Sequence, residues 1–132
     1  MFKNIKAFSG FSVKDIEEAR TFYGDLLGLD VKKEEMGLLR VNLSTGGTVI
    51  IYPKENHVPA TFTVLNFPVS DLDKAVDNLT EKGIVFEKYE GFGEPDAKGI
   101  YRSPDPKMGP DIAWFTDPSG NILAVMSDPQ TP

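Results

Sequence analysis

Two rhythms of apolar residues run along the chain, and each occurs twice. Alternating, strand-like runs at Ile5–Val13 and Thr61–Val69 each lead into a segment of helical spacing. The entries are alike: Val13-Lys14-Asp15-Ile16-Glu17-Glu18-Ala19 aligns without gaps on Val69-Ser70-Asp71-Leu72-Asp73-Lys74-Ala75, 56 residues later. Asp15 and Asp71 stand where a side-chain oxygen can accept from the free N–H groups of a first helical turn, and Glu18 completes a capping-box spacing after Asp15. Ile16, Ala19, Tyr23, Leu26 and Leu27 then share one helical face, as do Leu72, Ala75, Val76 and Leu79. Gly28 and Gly83 suit the residue that closes each helix. Strand-like runs follow at Val31–Glu34, Leu38–Leu43 and Thr48–Tyr52, and again at Ile84–Glu90, Ile100–Ser103 (the weakest), Ile112–Thr116 and Ile122–Met126. Thr45-Gly46-Gly47 and Asp117-Pro118-Ser119-Gly120-Asn121 are the turn signals between strands.

The order is β-α-β-β-β, twice, which predicts an α+β chain built by duplication of one supersecondary unit. The expected organisation is a single domain over residues 1–132, with module one at about 1–54, a linker at Pro53–Pro59 and module two at about 60–128. Two strands break the usual alternation. Thr48–Tyr52 and Ile122–Met126 are apolar on both faces, whereas a sheet with helices on one side alternates apolar and polar. Their second face requires cover from the other module, a partner subunit or a ligand.

Composition narrows the function. With 132 residues, 40% apolar and 26% charged, the chain reads as globular. Fourteen basic against twenty acidic residues give a net charge of −6, which disfavours nucleic acid and anionic membrane surfaces. The absence of cysteine excludes disulfides, thiolate nucleophiles and Cys-based metal sites. One histidine, His57, cannot by itself build a catalytic zinc site. It lies in a charged, proline-bounded linker and is expected to be exposed and inert. No run approaches the ~20 apolar residues of a membrane span, and no signal peptide is expected at Met1–Lys6, so a cytoplasmic location is expected.

The segment Phe11–Tyr23 with Leu27-Gly28-Leu29, its counterpart Phe67-Pro68-Val69-Ser70-Asp71-Leu72, and Trp114-Phe115-Thr116-Asp117-Pro118-Ser119-Gly120-Asn121-Ile122-Leu123 resemble the vicinal oxygen chelate superfamily. That superfamily includes glyoxalase I, extradiol dioxygenases, and bleomycin- and fosfomycin-resistance proteins. The resemblance implies two βαβββ modules forming a cup-shaped mixed sheet, and a homodimer. It also implies metal ligands at four positions inside the cup. Here those are Phe8, Ile51 (to within a residue), Val64 and Ala124, none of which can donate to a divalent cation.

The expectation is therefore a cofactor-free, metal-free protein that binds a small apolar or aromatic molecule, with Phe8, Ile51, Phe62, Val64, Trp114, Ala124 and Met126 as lining. The alternatives are a metal-dependent lyase, isomerase or dioxygenase with displaced ligands, and a dimeric interaction module with no ligand. Residues 91–110, with four glycines and four prolines, read as an irregular loop at the cup mouth in which Lys98, Arg102, Asp96 and Asp105 are charged. Trp114, Tyr52, Phe62 and Tyr101 read first as packing groups.

Overall fold

A computed structural model describes residues 1–128, and the chain divides after Pro59 into two compact units. The first contains β1 (Ser9–Val13), α1 (Ile16–Arg20), a π-helical segment (Thr21–Leu26), β2 (Asp30–Lys33), β3 (Leu39–Asn42) and β4 (Thr48–Pro53). Its mixed sheet has the order β1-β4-β3-β2, with β1 parallel to β4 and the other pairs antiparallel. The Asp15 carboxylate accepts from the backbone N–H groups of Glu17 and Glu18 at 3.0 and 3.1 Å, so the helix starts where its cap demands. It does not run on as one α-helix to Gly28: Leu27 N–H donates to Phe22 O, five residues back, giving the wider π turn.

The second unit contains β5 (Thr63–Val69), α2 (Leu72–Glu81), a short 3₁₀ turn (Pro106–Met108), β6 (Ile112–Thr116) and β7 (Ile122–Ser127). Its sheet order is β5-β7-β6, with β5 parallel to β7. Pro68, which has no N–H to donate, lies in edge strand β5, where proline is tolerated. The Asp71 carboxylate caps α2 by accepting from Lys74 N–H at 3.0 Å. Leu72 and Val76 are buried, and α2 packs against β7.

Two expected strands contract to single bridges. Ile84–Glu90 touches the sheet only where Glu87 pairs with Trp114, and Ile100–Ser103 only where Tyr101 pairs with Ile112. The reason lies in the hydrogen bonds. Tyr89 N–H donates to the Tyr101 hydroxyl at 2.8 Å, Ile100 N–H to the Asp96 carboxylate at 2.9 Å, and Ser103 N–H to the Asp111 carboxylate at 2.7 Å. A backbone donor committed to a side chain is not available to a ladder.

The two units repeat each other closely. In the β3–β4 turn, Leu43 N–H donates to Gly47 O and Gly46 N–H to Leu43 O; in the β6–β7 turn, Asp117 N–H donates to Asn121 O and Gly120 N–H to Asp117 O. Gly46 and Gly120 share a left-handed φ of 90° and 89°, as this bulged hairpin turn requires. The correspondence relates Arg40 to Trp114, Ile50 to Ala124, Ile51 to Val125 and Tyr52 to Met126, and the cross-strand registers agree: Arg40 pairs with Ile50 as Trp114 pairs with Ala124. Among the described residues, no helix is long and apolar enough to cross a membrane.

Candidate functional site

Each sheet has one face against its helix and one turned away from it. In the first unit Phe11, Val49, Ile51, Leu39 and Val41 are buried, and the Phe11 ring lies 5.9 Å from that of Tyr23 in the helical segment. Ile51 is completely buried and pairs with Phe11 and Leu39, so it belongs to this helix-facing core. Ile51 is therefore not a lining residue, and the ligand position expected at Ile51 to within a residue falls at Ile50: Ile50 is the equivalent of Ala124, and Ile51 of Val125. Phe8 lies just before β1 and is 69% exposed. The outward face of this sheet carries Gly10, Ser12, Ile50 and Tyr52, the four being register partners across β1 and β4.

His57 also departs from expectation. It is half-buried rather than exposed, and its Nδ1 lies 2.7 Å from Ser12 Oγ. The linker folds back because Lys54 N–H donates to Val13 O and His57 N–H to Lys54 O, which brings the ring to β1.

In the second unit the outward face is aromatic. Trp114 and Ala124 are register partners, and both are buried in a cluster with Tyr101. Tyr89, Ile112, Ile122 and Met126 pack against it. Tyr89, Tyr101 and Phe92 reach the Trp114 ring at 5.5, 5.3 and 4.9 Å between centroids, all in tilted or edge-on geometry. The indole N–H donates to Thr63 Oγ1 at 3.1 Å. Burial, then the Glu87 carboxylate and Tyr101, push the Tyr89 phenol above its ordinary pKa, so it stays neutral. Above the cluster opens a cavity of about 330 Å³ lined by Thr61, Phe62, Thr63, Tyr89, Phe92, Trp114 and Ile122.

Of the seven residues expected to line a site, Phe62 and Trp114 line this cavity, and Ala124 and Met126 lie in the cluster beneath. Val64 is half-buried at the irregularity between Thr63 and Leu65 in β5, outside the lining. Tyr89, Phe92 and Ile122 were not singled out. The one available signal was Gly91-Phe92-Gly93, an aromatic residue held between two glycines inside the loop expected at the mouth.

The loop is anchored by charge. Arg102 contacts Asp73 of α2 at 2.8 Å, Asp96 at 3.0 Å and Asp111 at 3.4 Å, while Lys98 reaches Asp77 of α2 at 3.1 Å. The Arg102 guanidinium holds the Asp73 carboxyl below its ordinary range. At Asp96 burial acts upward, but the N–H groups of Ile100 and Lys98 and then Arg102 outweigh it, and the net direction is also downward.

Residues 7–125 match the model of the Glyoxalase/Bleomycin resistance protein/Dioxygenase superfamily. The chain belongs to that superfamily. It is 32% identical over 117 residues to the uncharacterized protein YwkD of Bacillus subtilis strain 168, covering 79% of this chain and 81% of the relative. A superfamily member from Sphaerobacter thermophilus shares the fold with a TM-score of 0.67 at 22% identity, over 94% of this chain and 98% of that one. The fosfomycin resistance protein FosX of Listeria monocytogenes, solved with Mn(II) and 1S,2S-dihydroxypropylphosphonic acid, also shares it. Its TM-score is 0.67 at 10% identity, over 97% of this chain and 92% of that one.

The superfamily resemblance implies a divalent metal held by side chains at four strand positions, two in each unit. The residues of this chain do not fit one there. Phe8, Ile50, Val64 and Ala124 offer only hydrocarbon, and Ala124 is fully buried beneath aromatic rings. Among the described residues, no group of three or more His, Cys, Asp or Glu is placed to hold a metal ion.

Proposed function

We propose that this glyoxalase-superfamily chain binds a small apolar or aromatic molecule without a metal, at the aromatic face of its second unit. The observation that supports this most is the cavity of about 330 Å³ over Trp114, bounded by Phe62, Tyr89, Phe92 and Ile122. That volume lies within the range of small-molecule sites, ~300–1,000 Å³. Most of its lining is apolar, and the hydroxyls of Thr61, Thr63 and Tyr89 are among the groups able to orient a ligand. Binding draws on apolar burial at ~25 cal/mol per Å².

A thermal-shift screen of small aromatic and apolar compounds tests the reading. The expected result is a set of hits whose shift disappears in Trp114→Leu; hits that survive this substitution place binding elsewhere and overturn it. Elemental analysis of protein purified without chelators is expected to find no stoichiometric Mn, Fe, Ni or Zn. The proposal includes a homodimer, consistent with the exposed apolar side chains of Phe2, Ile5 and Phe8, and light scattering at micromolar concentration that returns a monomer removes that part.

A further inference from the structure

We infer that Phe92 is a displaceable plug: its ring occupies the place against the Trp114 indole that a flat aromatic ligand takes by pushing it aside. This deepens the binding reading above and rests on it, adding a ligand class and a moving part.

Trp114 is only 8% exposed, so no molecule can lie flat on its indole unless a neighbour leaves. Three of the groups around it are held. The Tyr89 backbone is tied to the Tyr101 hydroxyl, Tyr101 is bridged to Ile112 through both its N–H and its C=O, and Thr63 accepts from the indole. Phe92 is different. It is 59% exposed although its centroid lies 4.9 Å from that of Trp114 and 6.3 Å from that of Tyr101. Its side chain has no polar atom to be tied. Gly91 and Gly93 flank it at φ 93° and 79°, a left-handed pair that lets one residue swing between two unhindered joints. A Cβ built on either glycine meets nothing within 4 Å, so neither joint is packed against a neighbour. Among the described residues, hydrogen bonding of the backbone N–H groups stops at Tyr89 and resumes at Asp96, where the N–H donates to Ile100 O. The Arg102 and Lys98 ion pairs fix the loop beyond that point to α2, so the mobile part is the short Gly-Phe-Gly tip.

Behind the tip lies a second cavity of about 600 Å³, lined by Lys88, Tyr89, Glu90, Glu94, Pro95 and Tyr101 with both glycines. It shares Tyr89 with the first and gives the displaced ring somewhere to go. What replaces Phe92 has to recover an aromatic contact with the indole, which favours a planar π system over an equally apolar puckered one.

The chain has one tryptophan, so its spectrum contains one indole N–H resonance, and that proton is bonded at the site. We would titrate the whole protein and Phe92→Ala with 2-naphthol and with decahydro-2-naphthol, following that resonance. The expected result is that 2-naphthol shifts it in both proteins, with affinity about two- to tenfold higher in Phe92→Ala because no ring has to be displaced. The saturated analogue is expected to bind more weakly than 2-naphthol in both. If 2-naphthol binds the natural chain but no tighter, or more weakly, to Phe92→Ala, Phe92 is a fixed wall and the plug is refuted while the pocket stands. Equal binding of the saturated analogue refutes the ligand class. An indole resonance that responds to neither compound in either protein overturns the plug and the binding reading together.

Discussion

The outward faces of the two units are built on the same strands in the same register, yet the first is mixed in character and the second gathers a buried aromatic cluster. At equivalent positions the first unit has Arg40, Ile50, Tyr52 and Ser12, and the second has Trp114, Ala124, Met126 and Pro68. The connection explains much of the contrast. Between helix and third strand the first unit inserts only β2, whereas the second inserts residues 84–111, which return Tyr89, Phe92 and Tyr101 over the sheet. The repeated scaffold is common to both units, and one long excursion gives the second its candidate site. This is where loops in a rigid frame usually carry function.

The sharpest way to break the comparison is to truncate the equivalent residues Trp114 and Arg40. Trp114→Ala removes the centre of a buried cluster and is expected to cost about 3–5 kcal/mol. Arg40→Ala, on an exposed side chain paired with Glu34, is expected to cost less than about 1 kcal/mol. Urea denaturation of both variants measures the difference; similar losses would mean that the first unit's face is as closely packed as the second's.

The turns allow the same comparison with the backbone held constant. Both hairpins have the same backbone bonds, but the buried Asp117 carboxylate additionally accepts from Ser119 N–H, Asn121 N–H and Asn121 Nδ2, all at 2.9 Å. Asp117→Ala removes the shared buried acceptor of these three bonds and is expected to cost about 2–3 kcal/mol. Thr45→Ala, in the first turn, changes an exposed side chain and is expected to stay within about 0.5 kcal/mol. Melting temperatures of the two variants decide it.

These contrasts show why the frame was legible in the sequence and the site less so. Caps, turns and apolar periodicity are local signals, and Asp15, Asp71 and the Asp117–Asn121 turn lie where local chemistry puts them. Register is not local. A one-residue slip exchanges the faces of a strand, which is why an equivalence good only to within a residue could not separate buried Ile51 from Ile50. The strands expected at Ile84–Glu90 and Ile100–Ser103 had the right composition but lost their ladders to side-chain acceptors, the Tyr101 hydroxyl and the Asp96 and Asp111 carboxylates, which alternation of apolar and polar residues does not reveal. Phe92 was hidden because its importance comes from meeting Trp114, 22 positions away. His57 was misread because a lone histidine carries no motif, and only the fold brings it to Ser12.

That pair offers a smaller test. Ser12 has Pro68 as its equivalent, so the Ser12–His57 contact exists in one copy only. His57→Ala is expected to cost about 1 kcal/mol, the net value of one part-buried hydrogen bond. In a Ser12→Ala background the further cost should be smaller; equal costs in both backgrounds would show that the contact contributes nothing to stability.

The smallest effect concerns the excursion itself, whose anchor should weaken in acid. Asp73 and Asp96 have carboxyl groups held below their ordinary pKa, so they bind protons less readily folded than unfolded. Their contribution is complete above the unfolded carboxyl value of ~3.9 and is lost as pH falls through the lower folded values. Arg102→Gln removes the cation that all three carboxylates share. The variant is therefore expected to melt slightly below the natural chain at pH 6–7, with the gap closing below about pH 4 as Asp73 and Asp96 are protonated. Because these groups are largely exposed, added salt should narrow the gap at neutral pH as well. Arg102→Gln should also loosen the anchored part of the excursion and increase hydrogen exchange at the bonded N–H groups of Asp96, Lys98 and Ile100. The β3–β4 turn of the first unit, which has no such clamp, should exchange as before. A gap that persists unchanged at pH 3 would assign the role of Arg102 to packing of its stem rather than to its charge.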